Sequence, residues 1–122
     1  MANEITVTTG IQVLKGNIVA GVNQRTFQVD MLGTRFIRNA QAIGTTYEAV
    51  NIGDVASAGW ASFTNLDATN YVEIGVEVSS AFYPLVRLDA GRTAGPFRLS
   101  TTTIFARANT AAVNLDVFIN EA

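Results

Sequence analysis

Apolar and polar residues alternate along most of this chain. Ile5 and Val7 alternate with Glu4, Thr6 and Thr8, while Phe27, Val29 and Met31 alternate with Thr26, Gln28 and Asp30. A period of two sends successive side chains to opposite faces, the mark of a strand with one dry and one wet face. Val72, Ile74, Val76 and Val78 repeat the pattern against Tyr71, Glu73, Gly75 and Glu77. Val113, Leu115, Val117 and Ile119 repeat it again, which predicts a paired and ordered final strand. Glycines at 10, 16, 33, 44, 53, 59, 91 and 95 punctuate these runs, at about the 8 to 12 residue spacing of sandwich turns. Thr34 to Ile43 has apolar residues at mixed spacing and reads as a strand or a short turn of helix. Pro84 and Pro96 donate no backbone hydrogen bond, which predicts edge strands or strand entries for both. The expectation is an all-β, single-domain antiparallel β-sandwich over residues 1–122, jelly-roll or immunoglobulin-like, of about eight strands. Residues 1–9, apolar at alternate positions, are expected to act as an assembly arm that adds a strand to a neighbour's sheet edge.

One segment is more specific. Trp60 to Phe63 and Tyr71 to Val78 are strand-like and flank the polar Asn65, Asp67 and Asn70, so the pattern predicts a hairpin that lays the two strands side by side. The run from Phe63 to Gly75 (FTNLDATNYVEIG) is followed by Phe82-Tyr83-Pro84-Leu85-Val86-Arg87-Leu88, Asp89-Ala90-Gly91, Pro96-Phe97-Arg98-Leu99 and Ile104-Phe105-Ala106-Arg107-Ala108-Asn109. Together these segments, covering roughly the C-terminal half, resemble small β-rich virion proteins of tailed bacteriophages. The resemblance implies a part of a phage particle, on head or tail, and brings no catalytic motif.

Composition changes the picture in one direction. Hydrophobic residues make up 48% and charged residues only 15%, against about 25% charged in ordinary soluble domains. Thr, Asn, Ser and Gly therefore cover the surface, as expected of a subunit that lives against neighbours. The net charge is −2, and the eight basic residues are scattered, so nothing suits consecutive phosphates and no nucleic-acid partner is expected. All of them but Lys15 are arginines, whose planar fork favours partly buried contacts. No apolar run approaches the roughly 20 residues of a membrane span, and Met1 to Thr6 has no signal-peptide pattern. The expectation is a protein made in a host cytoplasm and soluble or particle-bound, with no membrane partner.

Candidate chemistry is sparse. There is no histidine and no cysteine, which removes the usual general base, the common triads, thiolate chemistry, disulfides and nearly all zinc sites. Glu73 and Glu77 share a strand face, but four residues at about 3.3 Å each separate them by roughly 13 Å, beyond the reach of a glycosidase pair. The turn oxygens of Asn65, Asp67, Thr69 and Asn70 have a spacing that suits Ca²⁺, yet lack a second acid, so an Asx-stabilised turn is the simpler reading. Gly91 to Pro96 lacks the ending of a phosphate loop and reads as an exposed connection, where Asp89 and Arg92 are placed to pair. Trp60, flanked by alanines, reads as buried. Tyr71 and Tyr83, on the presumed outer phase of their strands, read as a protein interface before a glycan surface.

No enzyme, cofactor or metal is expected. The expected function is a phage capsid decoration or cement protein that self-associates, as a trimer, and bridges major capsid subunits on the head exterior. Its interface candidates are Ile5, Val7, Tyr71, Tyr83 and Arg92. The alternative is a tail, fibre or spike component that binds host glycan or protein.

Overall fold

Thr, Val and Ile dominate the regular segments and favour a pleated backbone. The computed structural model describes residues 3–121, and among them are ten strands and no helix. Met1 and Ala2, at the head of the expected arm, lie outside the described residues. The chain divides after Leu32 into two compact units, each considered by itself below.

The first unit is a hairpin of β1 (Ile5–Lys15) and β2 (Ile18–Val29). Gly16, at φ +56°, opens the two-residue turn with Asn17, the position where a hairpin needs a residue without a Cβ. Residues 5 to 9 therefore pair with Arg25 to Val29 of their own chain. The register shifts between Thr9 and Ile11, where β2 holds one extra residue. At the base, Glu4 accepts a hydrogen bond from the Met31 N–H (3.0 Å) and Asp30 accepts one from the Asn3 N–H (2.9 Å).

The second unit contains β3 (Phe36–Ile43), β4 (Glu48–Ala49), β5 (Ala58–Asn65), β6 (Val72–Val78), β7 (Ala81–Leu88), β8 (Thr93–Arg98), β9 (Phe105–Ala108) and β10 (Val113–Glu121). The stretch from Thr34 to Ile43 thus resolves as strand from Phe36 onward. The antiparallel pairs are nested: β3 with β10, β4 with β9, β5 with β8, and β6 with β7. Such a folded ribbon leaves its apolar face open until it rolls up. Rolling pairs β10 with β5 and β9 with β6, and gives sheets β3-β10-β5-β8 and β4-β9-β6-β7. This order is a jelly roll, which decides between the two sandwich types.

The core between the sheets is apolar. Val113, Leu115, Val117 and Ile119 of β10 are buried against Phe63, Ala61, Val72, Ile74, Ala106 and Leu88. Pro84 and Pro96 lie on the edge strands β7 and β8, where a missing N–H is tolerated.

Rolling also overturns the expected hairpin. β5 and β6 belong to different sheets, so residues 66–71 carry the chain from one sheet to the other. Asn65, fully buried, holds this crossing. Its amide donates to the carbonyls of Asn70 (2.8 Å) and Leu88 (3.0 Å), and its side-chain oxygen accepts from the Asp67 N–H (2.9 Å). Polar turn residues suit a hairpin and a crossing equally well, because both need backbone groups satisfied locally.

Candidate interaction surfaces

Register fixes which side chains share a face of the hairpin. Ile5 faces Val29, Val7 faces Phe27, Ile11 faces Val22, and Val13 faces Ala20, so one side of the ribbon is largely apolar, interrupted by Thr9 opposite Arg25 and ending on Lys15 opposite Ile18. The reverse side is polar near the base, where the Thr8 and Thr26 hydroxyls meet at 3.1 Å and Gln28 reaches Thr6 at 3.5 Å. It turns apolar toward the tip, where Leu14 faces Val19. Burial divides the same ribbon. Val7 is buried and Ile5 half-buried, whereas Ile11, Val13, Leu14, Ile18, Val19 and Val22 are 46% to 76% exposed. The bend at the register shift leaves a groove of about 750 Å³ beside Gly10, Gln12, Val19 and Gly21.

The outer face of the second sheet carries a different arrangement. Tyr47 stacks on Phe82 (5.5 Å between centroids) and meets Phe105 edge-on (5.8 Å). Its hydroxyl donates to the Glu77 carboxylate at 2.7 Å, which raises the Tyr47 pKa, and lies 3.1 Å from the Ser80 carbonyl. Arg107 lies over Phe82 at 4.9 Å and pairs with Glu73 at 2.7 Å. Arg87 lies over Tyr71 at 3.8 Å and pairs with Asp89 at 2.8 Å, which raises the guanidinium pKa. Glu73 and Glu77 are thus each engaged by their own partner. The expected Asp89–Arg92 pair is replaced. Asp89 binds Arg87 through its carboxylate, and it meets Arg92 only where its carbonyl accepts the Arg92 N–H at 3.0 Å.

The interface candidates are therefore scattered. Ile5 and Val7 are on the hairpin, Tyr71 is half-buried beneath Arg87, and the exposed Arg92 is in the turn between β7 and β8. Tyr83 corrects the sequence reading. It faces Val76 in the register, on the inward phase shared by Val72 and Ile74, while Phe82 takes the outward phase. The shift between Ile74 and Gly75 inserts an extra residue in β7 and inverts its alternation. A Cβ at Gly75 would collide with the Tyr83 carbonyl, so the two backbones approach there as only glycine permits. Tyr83 stays 53% exposed because the core ends short of it. Trp60 also differs from expectation. It faces Arg98 on the outward phase of β5 and is half-buried, while Ala61 and Phe63 fill the interior.

In the Asn/Asp turn, one Asp67 carboxylate oxygen accepts from the backbone of Asn70 (2.7 Å) and Thr69 (3.0 Å) and from the Thr69 hydroxyl (3.3 Å). The two backbone bonds hold its pKa below the usual carboxylate value. This is the arrangement of an Asx-type turn.

Glu121 drew no notice in the sequence, where it is one acid near the chain's end. In the fold its carboxylate is buried and accepts the N–H groups of Thr34 (3.0 Å), Arg35 (3.0 Å) and Ala56 (3.2 Å), tying three segments together. The bonds from Ala56 and Arg35 lower its pKa most. A depressed folded-state pKa means stabilisation that is complete above the unfolded value near 4.5 and is lost as pH falls through the folded value. Glu121→Gln is therefore expected to lower the melting temperature at neutral pH and to flatten the acid side of the stability profile below pH 4.5. Thermal melts followed by circular dichroism check this. Equal acid slopes for the two proteins would show that Glu121 is not the group being titrated.

Fold and surfaces together define a class, an antiparallel jelly roll accompanied by a hairpin unit with exposed apolar side chains on both sides of its tip. No family model, no curated protein and no solved structure matches the chain.

Proposed function

We propose that the protein is a structural subunit of a tailed-phage virion, a capsid decoration protein that self-associates and bridges major capsid subunits on the head exterior. The observation that carries this reading is the hairpin's tip. Six aliphatic side chains stand open to solvent on the two sides of the tip, on a chain with 15% charged residues, and exposed apolar clusters of this kind serve protein contacts. The resemblance of the C-terminal segments to phage virion proteins supplies the setting. Double-sheet jelly rolls are common among capsid components, and the fold is in keeping with that setting by analogy.

The glycan-binding alternative has less support. A sugar platform needs open ring faces, whereas Tyr71 is covered by Arg87 and Phe82 is shared between Tyr47 and Arg107. Immunogold labelling of intact virions tests the reading, with many labels over the head expected. Labels confined to the tail would move the protein to an adaptor or receptor-binding role, and unlabelled virions would end both readings.

A further inference from the structure

We infer that the cleft at the end of β8, headed by Arg98, is a binding site for a carboxylate group.

Arg98 closes the edge strand β8, opposite Trp60 of β5. Its Nη1 donates to the carbonyls of Ala58 (2.9 Å) and Leu99 (3.0 Å), so the guanidinium is fastened by backbone from two strands' ends. The Leu99 N–H in turn bonds the Gly59 carbonyl at 2.8 Å, which steadies one of those anchors. Carbonyls hold a guanidinium in place without neutralising it. Its Nε and Nη2, which together make the side-on fork, have no partner among the described residues.

The other cations are placed differently. Arg38, Arg87 and Arg107 pair with Asp116, Asp89 and Glu73. Arg35 reaches the Asp54 carbonyl at 3.3 Å and lies in the field of the Glu121 carboxylate. Lys15, Arg25 and Arg92 are exposed, and no side-chain hydrogen bond to a described residue anchors them. Among the described residues, Arg98 alone is both held in place and left without a counter-charge.

The cleft supplies further donors. It measures about 730 Å³, within the range of small-ligand sites, and Ser57, Ser100, Thr101 and Thr102 line it beside Arg98. No acid lines it, and the hydroxyls of Ser57, Ser100 and Thr102 make no hydrogen bond to the described residues. The Thr101 hydroxyl is used locally, accepting the Thr103 N–H at 3.0 Å and so shaping the loop. Arg98 is exposed, so a ligand meets the fork without movement of the chain.

Charge and shape select the ligand. A free Nε–Nη2 fork matches the two oxygens of one planar carboxylate. One guanidinium balances the single charge of that group, whereas a phosphate ester carries about −1.5 to −2 and would stay partly uncompensated.

Titration of the isotope-labelled full chain with sodium acetate, at an ionic strength held constant with chloride and followed at the arginine Nε–Hε signals, tests the site. The Arg98 signal is expected to shift and to saturate in the millimolar range, while those of Arg25 and Arg92 do not saturate. Sulfate is expected to bind more weakly than acetate. Arg98→Lys keeps the charge and loses the fork, and is expected to weaken acetate binding by about 10-fold or more, read at the backbone amides of Ser100 to Thr102. A capped peptide with a single glutamate distinguishes two sources of the carboxylate. Affinity equal to that of acetate assigns the site to a free organic acid, and affinity about 10-fold higher or more assigns it to an acidic side chain of a protein partner. Arg98 and Arg92 shifts of the same form, sulfate binding tighter than acetate, or unchanged binding by Arg98→Lys would each overturn the inference. The first of these comparisons needs only the parent protein, so it is decisive even if the variant misfolds.

Discussion

Asn65→Leu is expected to lower the stability of the jelly roll by about 3–5 kcal/mol, one of the two greatest single-site effects foreseen for this protein. Asn65 is fully buried, and leucine keeps the bulk while removing two donors and one acceptor. The Leu88 carbonyl loses its side-chain partner at a buried site, and a buried polar group left unpaired costs about 1–3 kcal/mol. Asn70 and Asp67 are partly accessible, so water replaces some of what they lose, and about 1 kcal/mol each is the expected remainder. For a unit of this size the sum corresponds to a melting temperature lower by about 15–25 °C. Asn65→Asp separates hydrogen bonding from shape. It retains the acceptor for the Asp67 N–H but turns a carboxylate toward two carbonyl oxygens, so its defect should ease as acid protonates it. Differential scanning calorimetry of both variants checks the argument. A loss below about 1 kcal/mol for Asn65→Leu would mean that the crossing between sheets is held by other contacts.

Phe63→Ala is expected to cost about 3–5 kcal/mol for a different reason. Phe63 has no exposed surface, faces Val117 across β10 and Ala94 across β8, and lies 5.9 Å from the Phe97 ring at a tilt of 41°. Alanine removes the apolar area and leaves a cavity between two sheets whose pairing on both sides of β5 resists collapse. Phe63→Leu fills most of that space and should lose less than about 1.5 kcal/mol. Urea unfolding distinguishes the outcomes. The midpoint should move with the slope unchanged, and a midpoint within error of the parent would show that the sheets close over the missing ring.

These two residues are neighbours on the inner side of one strand, yet the sequence discloses them unequally. Phe63 is an apolar residue at the right phase of an alternating run, and its burial follows from the pattern. Asn65 continues the same phase with a polar side chain, which local reasoning assigns to a solvated turn. What makes it an interior residue is Leu88, a partner 23 positions away that no local pattern connects to it. Glu121 is similar, because its three N–H donors come from residues 65 to 87 positions distant. Tyr83 was misplaced for a smaller reason. One extra residue in β7 reverses the phase of the side chains on one side of it relative to the other, and the adjoining Gly75 and Pro84 are the only marks of it in the sequence.

The chain's own pattern of apolar and polar positions determined that it is all-β, that its final strand lies in the core, that its prolines are on edges, and that its surface is poor in charge. Each of these depends on one residue and its near neighbours, through side-chain alternation, backbone donors and composition. Tertiary structure alone decided which strands pair, that β5 and β6 part into separate sheets, and that Asn65 and Glu121 become buried clasps. It also decided that the first 32 residues form a unit of their own, with apolar side chains open at the hairpin tip. These are contacts between distant segments, chosen by which rolling of the ribbon buries its apolar face while satisfying every backbone group, and that choice is made by the whole chain at once.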